Sequence, residues 1–450
     1  MSRPHATGAP NGDRAARRTG RRQVAVAGTA ALAAAALCAA CTSSVPAAGP
    51  NPTTATSAPT STPSPSAAPE PENPWGPTAA EVAAATADAA ELSDEEVAGQ
   101  VIVGRLHGTD PATAEQLVAD LHLAGVMITG ASVASLDQVQ ALSAGVQDAV
   151  DGSGRDWPGV VSTDNEGGTV QRMSGAVGPW TSFPSFAVAG EVAAGGAPGL
   201  VRDAHTAMAR ELRASGVTVN WAPVADVTVP GQDVTIGSRA AGSDPATVGA
   251  AVVPAVRGLL AGGVLPAVKH FPGHGSLTTD SHLALPVHGA DAEHIAGTEL
   301  PPFADAVEAG VPMVMVAHVD VPAWDPGVPA SLSPEAYRVL REDLQFAGVT
   351  VTDSLGMGAL AQVGDAGDVA VAALRAGADL LLNPADNAVA HAGVVAALGD
   401  GTLERDRIDE AAGRVIAMMR HQAELAAAVG PPGAVGDGAA AAEALRVAAR

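Results

Sequence analysis

The chain has 450 residues, with 24 basic and 48 acidic side chains and a formal net charge of −24 at neutral pH. A polyanion of this kind repels nucleic acids and anionic lipid surfaces, so we expect neither as an electrostatic partner. Aromatic residues are scarce at 2%, but Ala, Val and Leu supply enough apolar surface for a large core.

The first forty residues have the pattern of an export signal. Residues 14–22 are rich in Arg and precede an apolar run over residues 24–40. That run is too short for a convincing membrane span, and polar sequence follows it at once. Arg21-Arg22 also resembles a twin-arginine signal. We therefore predict a signal peptide over residues 1–40, of the lipoprotein or twin-arginine type.

Cys41 follows small residues that resemble a lipoprotein cleavage box, which predicts an acylated Cys41; ordinary signal cleavage nearby is the alternative. The other cysteine, Cys38, lies in the same segment, so the body that follows has no disulfide, thiol nucleophile or cysteine metal site. Residues 41–78 are rich in Ser, Thr, Pro and Ala, which is typical of a disordered tether. We expect an exported protein, either lipid-anchored on the outer face of the membrane or secreted.

Eight short apolar segments alternate with Ala-rich helical patterns after the tether. Continuous apolar strands separated by helices are typical of a parallel sheet that is buried on both faces. Eight such units favour a single (β/α)8 barrel over residues 79–428, with a doubly wound open sheet as the alternative. Residues 404–428 are expected to form a closing helix, and residues 429–450 a loose tail. The predicted strands are Gln100–Val103, Gly125–Ile128, Gly159–Thr163, Val217–Trp221, Val264–Val268, Pro312–Ala317, Gly348–Thr352 and Asp379–Leu382.

Polar side chains follow six of these eight strands. Because the carboxyl ends of the strands meet at one rim of a barrel, these side chains predict a polar mouth that binds a ligand. The strand ends carry, in chain order, Asp164 and Glu166, Asn220 and Asp226, Lys269 and His270, His318 and Asp320, Asp353, and Asn383.

Lys269 is the only lysine of the chain, so every other basic residue is an arginine. The two types are not interchangeable where a compact ammonium must reach one point beside a ligand, and the exception therefore indicates a site. Lys269 begins the segment Lys-His-Phe-Pro-Gly-His-Gly, which Asp280-Ser281-His282 follows. Such a density of titratable side chains in one loop is typical of a catalytic or ligand site.

Asp353 directly follows a predicted strand and precedes Ser354-Leu355-Gly356. A carboxylate held at a strand end can attack carbon covalently or stabilise a developing cation. The structural alternative is the N-cap of the next helix. Because the same chain also carries the loop of titratable residues that begins at Lys269, which we call the lysine loop, we favour the catalytic interpretation.

Asp280 and His282 form a second candidate pair. A carboxylate beside an imidazole fixes its tautomer and raises its basicity, which makes a proton donor and acceptor for neutral pH. The alternatives are two solvated loop residues, or a zinc site through His270, His274 and His282. Pro272 and the glycines of the loop make the helical form of a zinc motif implausible.

Five motifs resemble glycoside hydrolase family 3, in its bacterial β-N-acetylglucosaminidase branch, over residues 90–420. The resemblance implies a (β/α)8 barrel that removes terminal β-linked N-acetylglucosamine with retention of configuration. The motifs are Asp164-x-Glu166-Gly167-Gly168-x-Val170-x-Arg172, Asn220-Trp221-Ala222-Pro223, Ile236-Gly237-Ser238-Arg239, the lysine loop with Asp280-Ser281-His282, and Thr352-Asp353-Ser354-Leu355.

The resemblance also implies catalytic roles. Asp353 would be the nucleophile that forms a glycosyl-enzyme, and His282, oriented by Asp280, would be the acid and base. A retaining glycosidase needs a nucleophile and an acid/base, and neither step needs a metal or an organic cofactor.

The implied binding residues lie on the same rim. Asp164 would bind sugar hydroxyls far from the cleaved bond. Lys269, His270, Arg239 and Arg172 would line the same pocket for the terminal sugar.

We therefore expect an exported exo-β-N-acetylglucosaminidase, active on cell-wall glycan fragments such as those of peptidoglycan, and a monomer. Within the family, the alternatives are a β-N-acetylglucosaminide phosphorylase, because a His repels phosphate less than a carboxylate does, and a β-glucosidase or xylosidase. Outside it, they are a sugar-binding lipoprotein without turnover, a structural lipoprotein and a zinc hydrolase.

Overall fold

A computed structural model describes residues 75–173, 178–233 and 235–450. The predicted signal peptide, Cys41 and the tether up to residue 74 lie outside these residues. Eight strands of the barrel lie in chain order as β1 (Ile102–Arg105), β2 (Gly125–Ile128), β3 (Val160–Thr163), β4 (Val219–Asn220), β5 (Leu265–Phe271), β6 (Met313–Val316), β7 (Val349–Thr352) and β8 (Leu381–Leu382).

The eight strands form one parallel sheet in which each strand pairs with its neighbours in sequence. β1 also pairs with β8, and a parallel bridge between Val351 and Leu380 joins β7 to β8. The sheet is therefore closed, which confirms the predicted (β/α)8 barrel and shows that the open-sheet alternative is wrong. A short antiparallel hairpin, Asn165–Gly167 with Val170–Gln171, follows β3 at the rim.

Helices alternate with the strands and cover the barrel, so nearly every strand residue is buried. They are α1 (Ala79–Ala90), α2 (Asp94–Gln100), α3 (Pro111–Leu121), α4 (Leu136–Gly152), α5 (Phe186–Ala194), α6 (Pro198–Ala214), α7 (Pro245–Ala261), α8 (Ala292–His294), α9 (Pro301–Glu308), α10 (Pro334–Arg338), α11 (Ala366–Ala376), α12 (Asn387–Asp400), α13 (Arg405–Ala428) and α14 (Ala439–Ala448). One π-helical segment, Ile295–Glu299, precedes α9, and another, Val339–Asp343, follows α10. In the described part of the chain, no helix is both long and apolar enough to cross a membrane.

The folded body begins earlier than the sequence predicted. Trp75 is only 4% exposed, although it falls in the expected tether. A Cβ on Gly76 would lie 2.4 Å from the His421 ring of α13, so this segment already packs on the closing helix. Thr78 then starts α1 with a capping box, in which its side chain and Glu81 satisfy each other's backbone N–H groups.

Residues 429–450 are not wholly loose, and that prediction was wrong. Residues 439–448 form α14, which packs against α5 and α6 and buries Ala442 and Leu445. The backbone N–H of Gly438 donates to the buried Glu211 carboxylate at 2.8 Å. The repeated Ala residues hid this helix, because they give little contrast between an apolar and a polar face.

The amino-terminal end of the barrel is held by a buried carboxylate. Asp379, just before β8, accepts hydrogen bonds from Arg341 at 2.5 Å, Arg407 at 3.1 Å and Arg414 at 3.3 Å. Burial alone would raise the pKa of Asp379, but the three guanidinium groups lower it to about 2. This end of a barrel serves stability, and the chemistry belongs at the other end.

Candidate active site

The carboxyl ends of the strands surround a cavity of about 650 Å³. All eight side chains predicted for the site line this cavity, so loops far apart in sequence converge on one place. Asp164 and Arg172 follow β3, Arg239 follows β4, Lys269 and His270 lie in β5, Asp280 and His282 lie in the loop after β5, and Asp353 follows β7.

Four charged side chains form a connected network on one wall, which we call the charge cluster: Asp164, Glu166, Arg239 and Lys269. Lys269 Nζ lies 2.7 Å from Asp164 Oδ1 and 2.7 Å from Glu166 Oε1. Arg239 donates two hydrogen bonds of 2.9 Å to the same Glu166 carboxylate. The Lys269 and Glu166 side chains are only 3% and 1% exposed. A compact ammonium fits between the two carboxylates, whereas a planar guanidinium holds Glu166 from one side.

Mutual attraction keeps the charge cluster ionised. Burial alone would raise the pKa of Glu166, but Lys269 and Arg239 lower it to about 2. Burial alone would lower the pKa of Lys269, but Asp164 and Glu166 raise it above its ordinary value. The cluster therefore presents fixed donors and acceptors to the cavity at neutral pH, which suits the hydroxyl groups of a polar ligand.

Asp226, which follows β4, orients the lysine loop through hydrogen bonds. Its Oδ2 lies 2.7 Å from His270 Nδ1, and its Oδ1 accepts hydrogen bonds from the backbone N–H groups of His270 and His274 at 3.2 and 2.8 Å. Burial alone would raise the pKa of Asp226, but both imidazoles lower it. The carboxylate keeps the proton on His270 Nδ1, so Nε2 faces Arg239 across 3.4 Å.

Asp353 lies at the end of β7 with its carboxylate in the cavity. Its Oδ1 accepts a 2.7 Å hydrogen bond from the backbone N–H of Ser354. Burial alone would raise the pKa of Asp353, but His270 and His318 lower it to about 2. The N-cap alternative is wrong, because Met357 precedes the next helical turn and Asp365 caps α11. Asp353 is therefore a carboxylate at neutral pH, and no hydrogen bond from the described residues occupies its Oδ2.

Asp280 and His282 form the predicted pair. Asp280 Oδ1 lies 2.8 Å from His282 Nδ1 and also accepts the His282 backbone N–H at 2.9 Å. Burial alone would raise the pKa of Asp280, but these hydrogen bonds lower it. The His282 side chain is 63% exposed, so Nε2 is open to the cavity. The backbone N–H groups of Gly358 and Ala359 donate to the carbonyls of His282 and Ser281, which docks this loop beside the one that follows Asp353.

The three loop histidines are engaged separately. His270 pairs with Asp226, and His282 pairs with Asp280. His274 is buried, with Nε2 2.8 Å from the Ser281 hydroxyl. Within residues 75–173, 178–233 and 235–450, no group of three His, Cys, Asp or Glu side chains is placed to hold a metal ion.

Sequence reasoning did not assign two of the charged residues that line the cavity, Glu166 and Arg105. The sequence places Glu166 at a strand end without indicating a role, although its spacing of two from Asp164 puts both on one face of an extended segment. Arg105, the last residue of β1, also lines the cavity. Its position at a strand end was the available signal, but its isolation in an apolar stretch hid it.

Residues 92–418 match the Glycosyl hydrolase family 3 N terminal domain. The chain is 36% identical to the Beta-hexosaminidase LpqI of Mycobacterium tuberculosis over 279 residues, which are 61% of this chain and 69% of that protein. A glycoside hydrolase family 3 β-N-acetylglucosaminidase from Paenibacillus sp. str. FPU-7 is similar in structure, with a TM-score of 0.73 and 32% identity over 80% of this chain and 69% of that one. A family 3 glycosyl hydrolase from Mycobacterium smegmatis has a TM-score of 0.65 and 34% identity, over 74% and 98% of the two chains. The chain belongs to glycoside hydrolase family 3 and is a glycoside hydrolase.

Proposed function

We propose that the protein is a retaining exo-β-N-acetylglucosaminidase. The observation that carries this proposal is the presence in one cavity of an ionised, half-buried Asp353, a His282–Asp280 pair and a charge cluster suited to hydroxyl groups. Relatives named β-hexosaminidase and β-N-acetylglucosaminidase support the choice of sugar.

In the first step, a free oxygen of Asp353 attacks the anomeric carbon and forms a glycosyl-enzyme, while His282 Nε2 gives its proton to the leaving oxygen. In the second step, the neutral imidazole takes a proton from water, which attacks the same carbon and releases Asp353. Asp280 holds Nδ1 throughout and stabilises the imidazolium form. An imidazole thus does the work of the second carboxylate that most retaining glycosidases use.

The charge cluster holds the terminal sugar in this proposal. Asp164 and Arg239 reach the cavity, and both are tied to buried partners, so they do not have to reorganise when a sugar binds. Arg172, 4.0 Å from Asp164, and His270 complete the pocket. Because a charged wall closes this side, the enzyme would take the end of a chain and not its middle.

The proposed location is outside the cytoplasm, with a lipid on Cys41 as the anchor. The proposed substrates are cell-wall glycan fragments that carry a terminal N-acetylglucosamine, and the enzyme would act on them as a monomer. Mass spectrometry of the amino-terminal peptide of the mature protein would show whether Cys41 is acylated.

The experiment that tests the proposal is the turnover of nitrophenyl β-N-acetylglucosaminide by the purified protein and by Asp353→Ala. We expect turnover by the parent and a loss of about 10³-fold or more in the variant, because no other group can form the glycosyl-enzyme. Addition of azide to the variant should restore part of the activity and yield a glycosyl azide of inverted configuration. Parent turnover that survives in Asp353→Ala would reject Asp353 as the nucleophile.

Other products or substrates would redirect the proposal. Release of a sugar 1-phosphate in phosphate buffer would make the enzyme a phosphorylase with the same residues. Faster turnover of the glucoside than of the acetamido sugar would make it a β-glucosidase. Binding of the sugar without any turnover would leave a sugar-binding lipoprotein.

A further inference from the structure

The loop that carries His282 is tied at both ends to one buried carboxylate. The loop covers residues 272–288, and the carboxylate belongs to Glu299, the last residue of the π-helical segment that precedes α9. Near the start of the loop, the Ser276 hydroxyl donates to Glu299 Oε1 at 3.2 Å. At the end of the loop, His288 Nε2 lies 3.1 Å from the same oxygen and 3.2 Å from Ser276 Oγ. The three side chains form a triangle that joins the two ends.

The second oxygen of Glu299 packs against the backbone of the loop. Gly273 has a φ of 138°, and a Cβ on this residue would lie 2.3 Å from Glu299 Oε2. The Glu299 and His288 side chains are only 1% and 3% exposed. Glu299 therefore holds the base of the loop both by hydrogen bonds and by close contact.

Stability alone does not account for a carboxylate at this place. Glu299 Oε2 and His288 Nδ1 are buried and make no hydrogen bond with the described residues. A buried polar atom without a partner destabilises a fold, and an apolar side chain of similar size would avoid that cost. Glu299 also ends a π-helical segment, and such segments occur frequently at functional sites.

Buried contacts connect the base of the loop to its tip. His274 Nε2 lies 2.8 Å from the Ser281 hydroxyl, and both residues are 2% exposed. Ser281 precedes His282, whose own side chain is 63% exposed, so the place of the imidazole depends on these anchors. Glu299 itself lies outside the set of described residues that line the cavity.

We propose that Glu299 is a positioning residue that keeps His282 within reach of the leaving oxygen by fixing both ends of the loop. This inference rests on the proposed function, in which His282 is the acid, and extends it to a residue that does not touch the substrate. A group that acts only through the acid should matter in proportion to the need of the leaving group for a proton.

Two aryl β-N-acetylglucosaminides test this inference. A dinitrophenolate leaves without a proton, whereas a phenolate needs one from the acid. The measured quantity is the ratio of kcat/KM for the phenyl glycoside to kcat/KM for the dinitrophenyl glycoside. We expect Glu299→Ala to lower this ratio by about 10-fold to 100-fold, because a shift of about 1 Å is costly for a positioned group. Glu299→Gln keeps the shape and an oxygen that accepts the same contacts, so it should retain most of the ratio.

Further variants separate positioning from damage to the fold. Turnover of the dinitrophenyl glycoside reports the fraction of folded, active enzyme in each preparation. Ser276→Ala removes one of the two contacts and should lower the ratio by a smaller factor, so it carries the test even where Glu299→Ala does not fold. Thr278→Ala removes an exposed hydroxyl from the same loop and should leave the ratio unchanged. His282→Ala removes the acid and should lower the ratio most.

The outcomes distinguish the inference from the proposed function. Equal losses on both glycosides in Glu299→Ala and Ser276→Ala, or an unchanged ratio in both, would overturn the positioning role while His282→Ala still lowers the ratio. An unchanged ratio in His282→Ala would reject His282 as the acid, and this inference with it. Failure of the parent to cleave either glycoside would reject the proposed function as a whole.

Discussion

Glu166 contacts both cations of the charge cluster. Apart from the nucleophile, it is the residue whose replacement we expect to impair the enzyme most. Replacement by Gln would leave Lys269 and Arg239 side by side with less negative charge between them. Because breaking a buried ion pair leaves an uncompensated charge, we expect Glu166→Gln to lower the free energy of unfolding by about 3–5 kcal/mol.

The kinetic part of this prediction concerns binding. If the cluster holds the terminal sugar, KM should rise in Glu166→Gln more than kcat falls. Urea unfolding and steady-state kinetics on the nitrophenyl glycoside measure both effects. A variant with unchanged stability and unchanged KM would show that Lys269 and Arg239 do not depend on Glu166.

The ionisation of Asp353 has a consequence for the pH profile. Its pKa is about 2, so it is already a carboxylate throughout the pH range of an ordinary assay. In the proposed mechanism the first step fails at high pH, where the His282–Asp280 pair no longer holds the proton for the leaving oxygen, so we expect the basic limb of kcat/KM to follow this pair. Asp280→Asn should shift this limb, and a profile that is identical in the parent and in Asp280→Asn would argue against the pair.

At the level of elements, the loop that carries His282 depends on Gly358. A Cβ at this position would lie 2.6 Å from the His282 carbonyl oxygen. We expect Gly358→Ala to displace the loop and to lower kcat by about 10-fold to 100-fold, because a shift of about 1 Å is costly in a catalytic site. The melting temperature should change little. Gly289→Ala is a matched control, because a Cβ there has no neighbour within 4 Å; equal kinetics in the two variants would show that loop position does not limit the rate.

The carboxyl-terminal helix α14 is tested by one buried and one exposed side chain. Leu445 is 2% exposed, whereas Val447 is 54% exposed on the same helix. Leu445→Ala should lower the free energy of unfolding by about 2–4 kcal/mol through lost burial and a cavity. Val447→Ala should stay within about 0.5 kcal/mol. Denaturant unfolding of both variants measures the difference, and equal values would mean that α14 does not add to the stability of the barrel.

For the whole molecule, three carboxylates with lowered pKa values link stability to pH. The pKa values of Glu166, Asp353 and Asp379 are each about 2, below the ordinary values of 4.5 and 3.8. A carboxylate with a lowered folded-state pKa stabilises the fold above its unfolded pKa and loses that contribution as pH falls through the folded value. We expect stability to fall between about pH 4.5 and pH 2.

Asp379→Asn checks the link between charge and stability. The variant should be less stable than the parent near neutral pH, and the gap should close as pH falls toward 2, where the parent loses the same charge. Asp379 lies at the far end of the barrel from the cavity, so kcat/KM of the folded variant should be retained. If the difference in stability between parent and variant stays constant with pH, the contacts of Asp379 with the arginines stabilise the fold through packing and not through charge.

Much of the architecture could be predicted from the sequence. Gly125–Ile128 has the predicted bounds, because a short apolar run with β-branched residues is a strong local signal. The convergence of the predicted site residues followed from one rule, that the strand ends of a barrel share a rim. The charge cluster could not be predicted, since the contact between Lys269 and Glu166 depends on the register of β3 and β5 and not on any local pattern.

The place of Lys269 has a practical consequence. It is the only side-chain amine of the chain, it is 2% exposed, and its ammonium is locked between two carboxylates. Amine-reactive reagents should therefore modify the folded enzyme only at the α-amino group of whichever residue begins it. Coupling to an activated resin would attach every molecule by that one point. Unfolding would expose the Lys269 amine as well. The fraction of doubly labelled chains would therefore measure the fraction of molecules that have unfolded.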